Sequence, residues 1–135
     1  MLASTVQAVT CRSWLARSNT ITSVKPFSIT VQADAGTTRV LLVGELDIAT
    51  TPGVEGELRK VEESGAEVIV LDLRGLTFMD STGLRLLVAA DARAREAGHR
   101  LAIVRGPGPV HRVLEITGLH SRLDLVSDPA EVGAA

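Results

Sequence analysis

The 135-residue chain has few aromatic side chains: Trp14, Phe27 and Phe78, and no tyrosine. A surface that stacks single-stranded nucleic acid is built on aromatic platforms, so this class of partner is disfavoured. Cysteine occurs once, at Cys11, which excludes an intramolecular disulfide, and no Cys/His cluster has the spacing of a zinc site. His99, His111 and His120 lie in separate segments and are expected at surface or loop positions, not around a metal. A basic excess is missing as well. Fourteen basic and sixteen acidic residues leave a net charge of −2, unlike a dedicated nucleic-acid binder. No apolar run is long enough for a signal-peptide core or a membrane span. What is present is aliphatic: 45% of the residues are hydrophobic, chiefly Val, Leu, Ile and Ala. One domain of this size buries roughly two-thirds of its unfolded surface, enough for a real core.

The charge is unevenly distributed. No acidic residue precedes Asp34, although Arg12, Arg17 and Lys25 do, among many Ser and Thr. Such a start suits a weakly ordered extension or a start codon placed too early, an organellar transit peptide, or a docking arm. We take residues 1–25 as a weakly ordered N-terminal extension and 26–132 as the domain. Twelve Arg against two Lys, with abundant Ala and Gly, suits a GC-rich bacterial genome and therefore the cytoplasm. Cys11 is then an unpaired thiol of a reducing compartment.

Periodicity begins at Phe27. Phe27, Ile29 and Val31 alternate with Ser28 and Thr30 as in a strand. A turn at 34–38 leads to a second strand over 40–43, its hairpin partner. Thr51 is positioned to cap a helix that has Pro52 at its first turn and runs to about Glu63, with Val54, Leu58 and Val61 on one face. The continuous apolar run 68–73 suits a strand covered on both faces. Asp80 and Ser81 open a second helix with Leu84, Leu87, Val88 and Asp91 at helical spacing, closed by Gly98. A strand at 101–104, a short helix containing Val113, Leu114 and Ile116, a strand at 123–126 and a helix fragment capped by Asp128 complete the chain. The order β-β-α-β-α-β-α-β-α predicts an α/β fold whose mixed sheet opens with a hairpin and continues in parallel.

The chemically informative stretch is Phe78-Met79-Asp80-Ser81-Thr82-Gly83-Leu84. A helix start collects free backbone N–H groups and the positive end of the helix dipole. A phosphate on Ser81 or Thr82 is tolerated there, yet adds about −1.5 to −2 charge next to Asp80 and so rejects a docked partner. The plainer reading is that Asp80 or Ser81 is simply an N-cap. A hydrolase nucleophile at Ser81 is disfavoured, because Met79 stands where the nucleophile elbow needs glycine and no acid–His pair accompanies it. Gly106-Pro107-Gly108-Pro109 is a turn and not a phosphate loop, since its prolines remove two donors.

Gly44-Glu45-Leu46-Asp47, the apolar strand to Leu73, the block from Phe78 to Leu84, and Val113-Leu114-Glu115-Ile116-Thr117-Gly118-Leu119 together closely resemble a STAS domain. More narrowly, they resemble the bacterial anti-sigma factor antagonists, over about residues 27 to 132. The resemblance implies helices packed mainly on one face of the sheet. It also implies a non-catalytic binding module without a cofactor, a monomer when free, cytoplasmic, touching neither nucleic acid nor membrane. In its unphosphorylated form such a module binds an anti-sigma factor that is also a GHKL-type serine kinase, and thereby releases a sigma factor. Phosphorylation of Ser81 ends the interaction and a PP2C-type phosphatase resets it. By position, Asp47 lies near Ser81 and shapes the docking surface, Asp80 orients the Ser81 hydroxyl, Gly83 allows close approach of the partner, and Thr82, Leu84 and Arg85 complete the contact region. Leu84 as plain core and Arg85 as a solvated helix face are the alternatives. A STAS scaffold in a stressosome-like complex, or a regulator of a transporter, is the competing function.

Overall fold

The computed structural model describes residues 4–10 and 27–133. Strand β1 is Ser4–Thr10, β2 Ser28–Asp34 and β3 Thr37–Leu46. Helix α1 (Thr51–Glu63), β4 (Val68–Met79), α2 (Ser81–Ala97), β5 (Arg100–Val104) and α3 (Gly108–Thr117) follow. A 3-10 turn (Leu119–Ser121), β6 (Leu125–Val126) and a short α4 (Ala130–Gly133) end the described chain. The six strands form one sheet in chain order. β1, β2 and β3 pair antiparallel, and β3 to β6 pair in parallel. The expected hairpin is closed by a two-residue turn at Ala35 (φ 50°) and Gly36 (φ 87°), with Asp34 paired to Thr37. Both central residues are left-handed, the geometry whose twist matches that of the strands it joins.

Alternation decides the layers. Ile29, Val31, Val40, Leu42, Ile69, Leu71, Leu73, Leu101 and Ile103 belong to one core cluster with Val54, Leu58 and Val61 of α1. Leu86, Leu87, Ala90 and Ala94 of α2 and Val110 and Leu114 of α3 complete it. The three long helices therefore share a face, as expected. Val70, Ala102, Val104 and Val126 belong to a second cluster with Val132 of α4. Having apolar contacts on both faces is why the run 68–73 lacks alternation.

Several elements differ from the sequence expectation. Residues 4–10, placed in the weakly ordered extension, form strand β1 along the edge of β2. The other residues of that extension, and with them Cys11, lie outside the described ones. β3 and β4 run on together to Leu46 and Met79. Their register shifts twice on the way, at Leu41/Val43 and Gly44/Glu45, which breaks the period-2 signal. At Gly75 a Cβ would lie 2.7 Å from the Leu42 carbonyl oxygen, so only glycine fits this close approach. α1 is preceded by Thr50, not Thr51, at the N-cap position. The buried side of α2 is Gly83, Leu86, Leu87, Ala90 and Ala94, while Val88 is exposed. Ile116 of α3 is exposed too, and Leu123 is buried ahead of β6. His111 and His120 are not scattered: their rings meet edge to face with centroids 6.5 Å apart.

Candidate functional site at the carboxyl ends of β3 and β4

Parallel strands end on the same edge, and ligand-facing loops of α/β sheets gather there. Leu46 is paired with Met79, and the Asp80 N–H donates to the Leu46 carbonyl at 3.2 Å. The chain leaves β3 through Asp47 into α1 and leaves β4 through Asp80 into α2. The two predicted acidic residues thus stand on neighbouring strand ends.

Asp80 has extended backbone and caps α2. Its Oδ1 accepts the Thr82 N–H at 2.9 Å, the Gly83 N–H at 3.3 Å and the Thr82 hydroxyl at 2.5 Å. The Thr82 hydroxyl bond holds the Asp80 carboxyl below the usual range, against partial desolvation, with the backbone N–H bonds assisting. The carboxylate is anionic and committed to its own turn. The side chain of Asp47 also closes its own loop. Its Oδ1 accepts the Ala49 N–H at 3.0 Å and the Thr50 N–H at 3.2 Å, while its carbonyl accepts the Thr51 hydroxyl at 2.6 Å. Thr50 is tied in turn to the Glu45 carbonyl at 2.8 Å. The two loops touch where the Thr51 and Thr82 hydroxyls lie 3.4 Å apart.

The two adjacent hydroxyls of the motif are therefore unlike. Ser81 is the first residue of α2 and exposed, and its hydroxyl makes no hydrogen bond among the described residues. Thr82 is half-buried with its hydroxyl held by Asp80. Asp80 consequently orients Thr82, not Ser81 as expected. Gly83 is buried; a Cβ there would lie 2.6 Å from Met79 Cγ and 3.0 Å from Leu46 Cδ2. The close approach it permits within the chain is that of α2 to the strand ends. Leu84 is half-buried against the core, and Arg85 is exposed. Beside this rim an open groove of about 390 Å³ runs between α1 and α2, lined by Ile48, Thr51, Pro52, Glu55, Thr82, Arg85, Leu86 and Ala89. Ile48, 75% exposed, went unnoticed in the sequence, although an aliphatic residue directly after Asp47 was a usable signal. No group of three or more His, Cys, Asp or Glu among the described residues is placed to hold a metal ion. None of their helices is long and apolar enough to cross a membrane.

Comparison with known proteins assigns the class. The family described as "Mlab, STAS domain" matches residues 29–127. The chain is similar to an anti-sigma F factor antagonist of Paenibacillus polymyxa, 34% identical over 92 residues, covering 67% of this chain and 79% of that one. It also resembles the crystal structure of an anti-sigma factor antagonist from Mycobacterium paratuberculosis, with a TM-score of 0.70 and 25% identity over 78% of this chain and 89% of the other. The Bacillus cell fate determinant SpoIIAA in its phosphorylated form shares the fold, with a TM-score of 0.61 and 19% identity over 78% of this chain and 97% of that one. The chain belongs to the STAS domain family, among the anti-sigma factor antagonists.

Proposed function

We propose that the protein is a phospho-switched binding module of the cytoplasm, without catalysis or cofactor of its own. Unphosphorylated, it docks on an anti-sigma factor that is also a GHKL-type serine kinase and so releases a sigma factor. Asp47, Asp80, Thr82, Leu84 and Arg85 shape the docking rim, while Gly83 sets the height of α2 behind it. The kinase then transfers the γ-phosphoryl group of ATP to Ser81. A bond forms between Ser81 Oγ and phosphorus, the bond to the ADP oxygen breaks, and the hydroxyl proton leaves to a base on the kinase. A PP2C-type phosphatase hydrolyses the ester and returns the free serine.

The observation that carries this reading is the contrast at the start of α2: Ser81 offers an exposed, uncommitted hydroxyl, whereas that of Thr82 is bound to Asp80. The helix dipole favours an anion at that position, and the first turn contains no acidic side chain. The phosphate would nonetheless roughly double the chain's net charge of −2, all of it at the docking rim. Pull-down with wild type, Ser81→Ala and Ser81→Asp, followed by phosphosite mapping with ATP, tests the reading. Wild type and Ser81→Ala should capture the kinase, only wild type should be labelled, and Ser81→Asp should bind at least tenfold more weakly. Label on Thr82 instead, or undiminished binding by Ser81→Asp, would sink it.

A further inference from the structure

We propose that Arg85 is the intramolecular counter-ion of a phosphate on Ser81, so that modification withdraws a cation from the α1–α2 groove as well as adding an anion beside it. The inference rests on the reading of Ser81 as the modified residue. Ser81 and Arg85 are four residues apart on α2 and both are exposed. At that spacing their Cβ atoms stand about 5–6 Å apart, and an acidic group N-terminal to a basic one is the favourable order. The planar guanidinium offers two parallel donors to phosphate oxygens.

The charge of Arg85 is also uncommitted. Among the described residues it pairs with no carboxylate, whereas Arg93 and Arg95 of the same helix are paired with Glu62 at 2.9 Å and Asp91 at 2.9 Å. Glu55, the acidic residue of the groove, is occupied by Arg59 at 2.9 Å and Arg93 at 2.8 Å. Asp80, the carboxylate nearest in sequence, is committed to the helix cap. In the unmodified chain Arg85 therefore leaves the groove mouth positive, suited to an acidic side chain of the docking partner. A phosphate one turn away competes for the same guanidinium. The rim then loses its attraction for that acidic group in the same event that introduces repulsion.

The test uses the full chain with phosphoserine installed at position 81 during translation, so no kinase is needed. The second ionisation of the phosphate is followed by 31P NMR titration in the parent chain, Arg85→Gln and Arg85→Lys, with circular dichroism confirming that each is folded. The parent phosphate should titrate about 0.3 pH unit lower than that of Arg85→Gln at low salt. Arg85→Lys should retain part of the shift, and 1 M salt should shrink it, because the Debye length then falls to about 3 Å. An identical midpoint in the parent and Arg85→Gln at low salt would overturn the pairing. A chain that no kinase modifies still answers this question, and a missing pair leaves the kinase reading untouched.

Discussion

Asp80 serves three donors with one carboxylate oxygen: two backbone N–H groups of the first turn and the Thr82 hydroxyl. Among the described residues, Asp72 is the other carboxylate whose ionisation is shifted. It is buried, which alone would push its carboxyl up; bonds from the Arg74 side chain and N–H, together with the charges of Arg74 and Arg39, outweigh this and hold it down. Both folded pKa values lie below the unfolded value of about 3.9, so both carboxylates contribute stability that is complete above it and lost as pH falls from it through the lower folded values. Their contribution to the urea midpoint should thus be constant at neutral pH and decline as pH falls below about 4. Asp80→Ala should cost about 1 kcal/mol at neutral pH, the value of a lost cap. Asp80→Asn keeps a capping acceptor, so it should cost less while flattening part of the acid limb.

At the scale of elements, the site depends on how closely α2 approaches the ends of β3 and β4. Gly83→Ala would press a methyl group onto Met79 Cγ and Leu46 Cδ2. Overpacking of this kind costs about 1–3 kcal/mol, measurable by urea denaturation, and should lift the Ser81 turn from the strand ends. The local signals at this scale were unequal. A cap at Asp80 or Ser81, Gly98 as the helix stop and a turn within 34–38 were legible because each needs only neighbouring residues; the structure settles the cap on Asp80 and narrows the turn to Ala35-Gly36. The continuation of β4 to Met79 was not legible, because its shifted register places Leu76 and Met79 in the core out of step with strand alternation. The buried side of α2 was misjudged for a related reason. Leu84, Leu87, Val88 and Asp91 share a helical spacing, and so do Leu86, Leu87, Ala90 and Ala94; the sheet beneath buries the second set, keeps Leu84 at its edge and leaves Val88 exposed.

For the whole molecule, the question is what the N-terminal residues add. The main core among the described residues begins at Phe27, and β1 contributes an edge strand to β2. We expect a chain lacking residues 1–26 to keep a cooperative urea transition and an α/β circular dichroism spectrum. Its uncovered β2 edge should raise self-association in sedimentation measurements, because unpaired strand edges recruit other strands. Loss of the cooperative transition would show that the domain does not begin at Phe27.

Residue patterns along the chain were enough for the alternating order of elements from Phe27 onward, the mixed sheet and the helix start at Asp80-Ser81, while the placing of the helices mainly on one face came from the family resemblance. Periodicity, caps and turns are short-range, and each is written in a few adjacent residues. Tertiary structure decided what distance along the chain conceals. It brought Asp47 and Asp80 to neighbouring strand ends, set the Thr51 and Thr82 hydroxyls 3.4 Å apart, and turned Gly83 toward Leu46 and Met79. It also separated Ser81 from Thr82, two adjacent hydroxyls alike in sequence. One helix start exposes the first and gives the second to Asp80, because the Asp80 side chain reaches forward over the first turn to the residue two positions on.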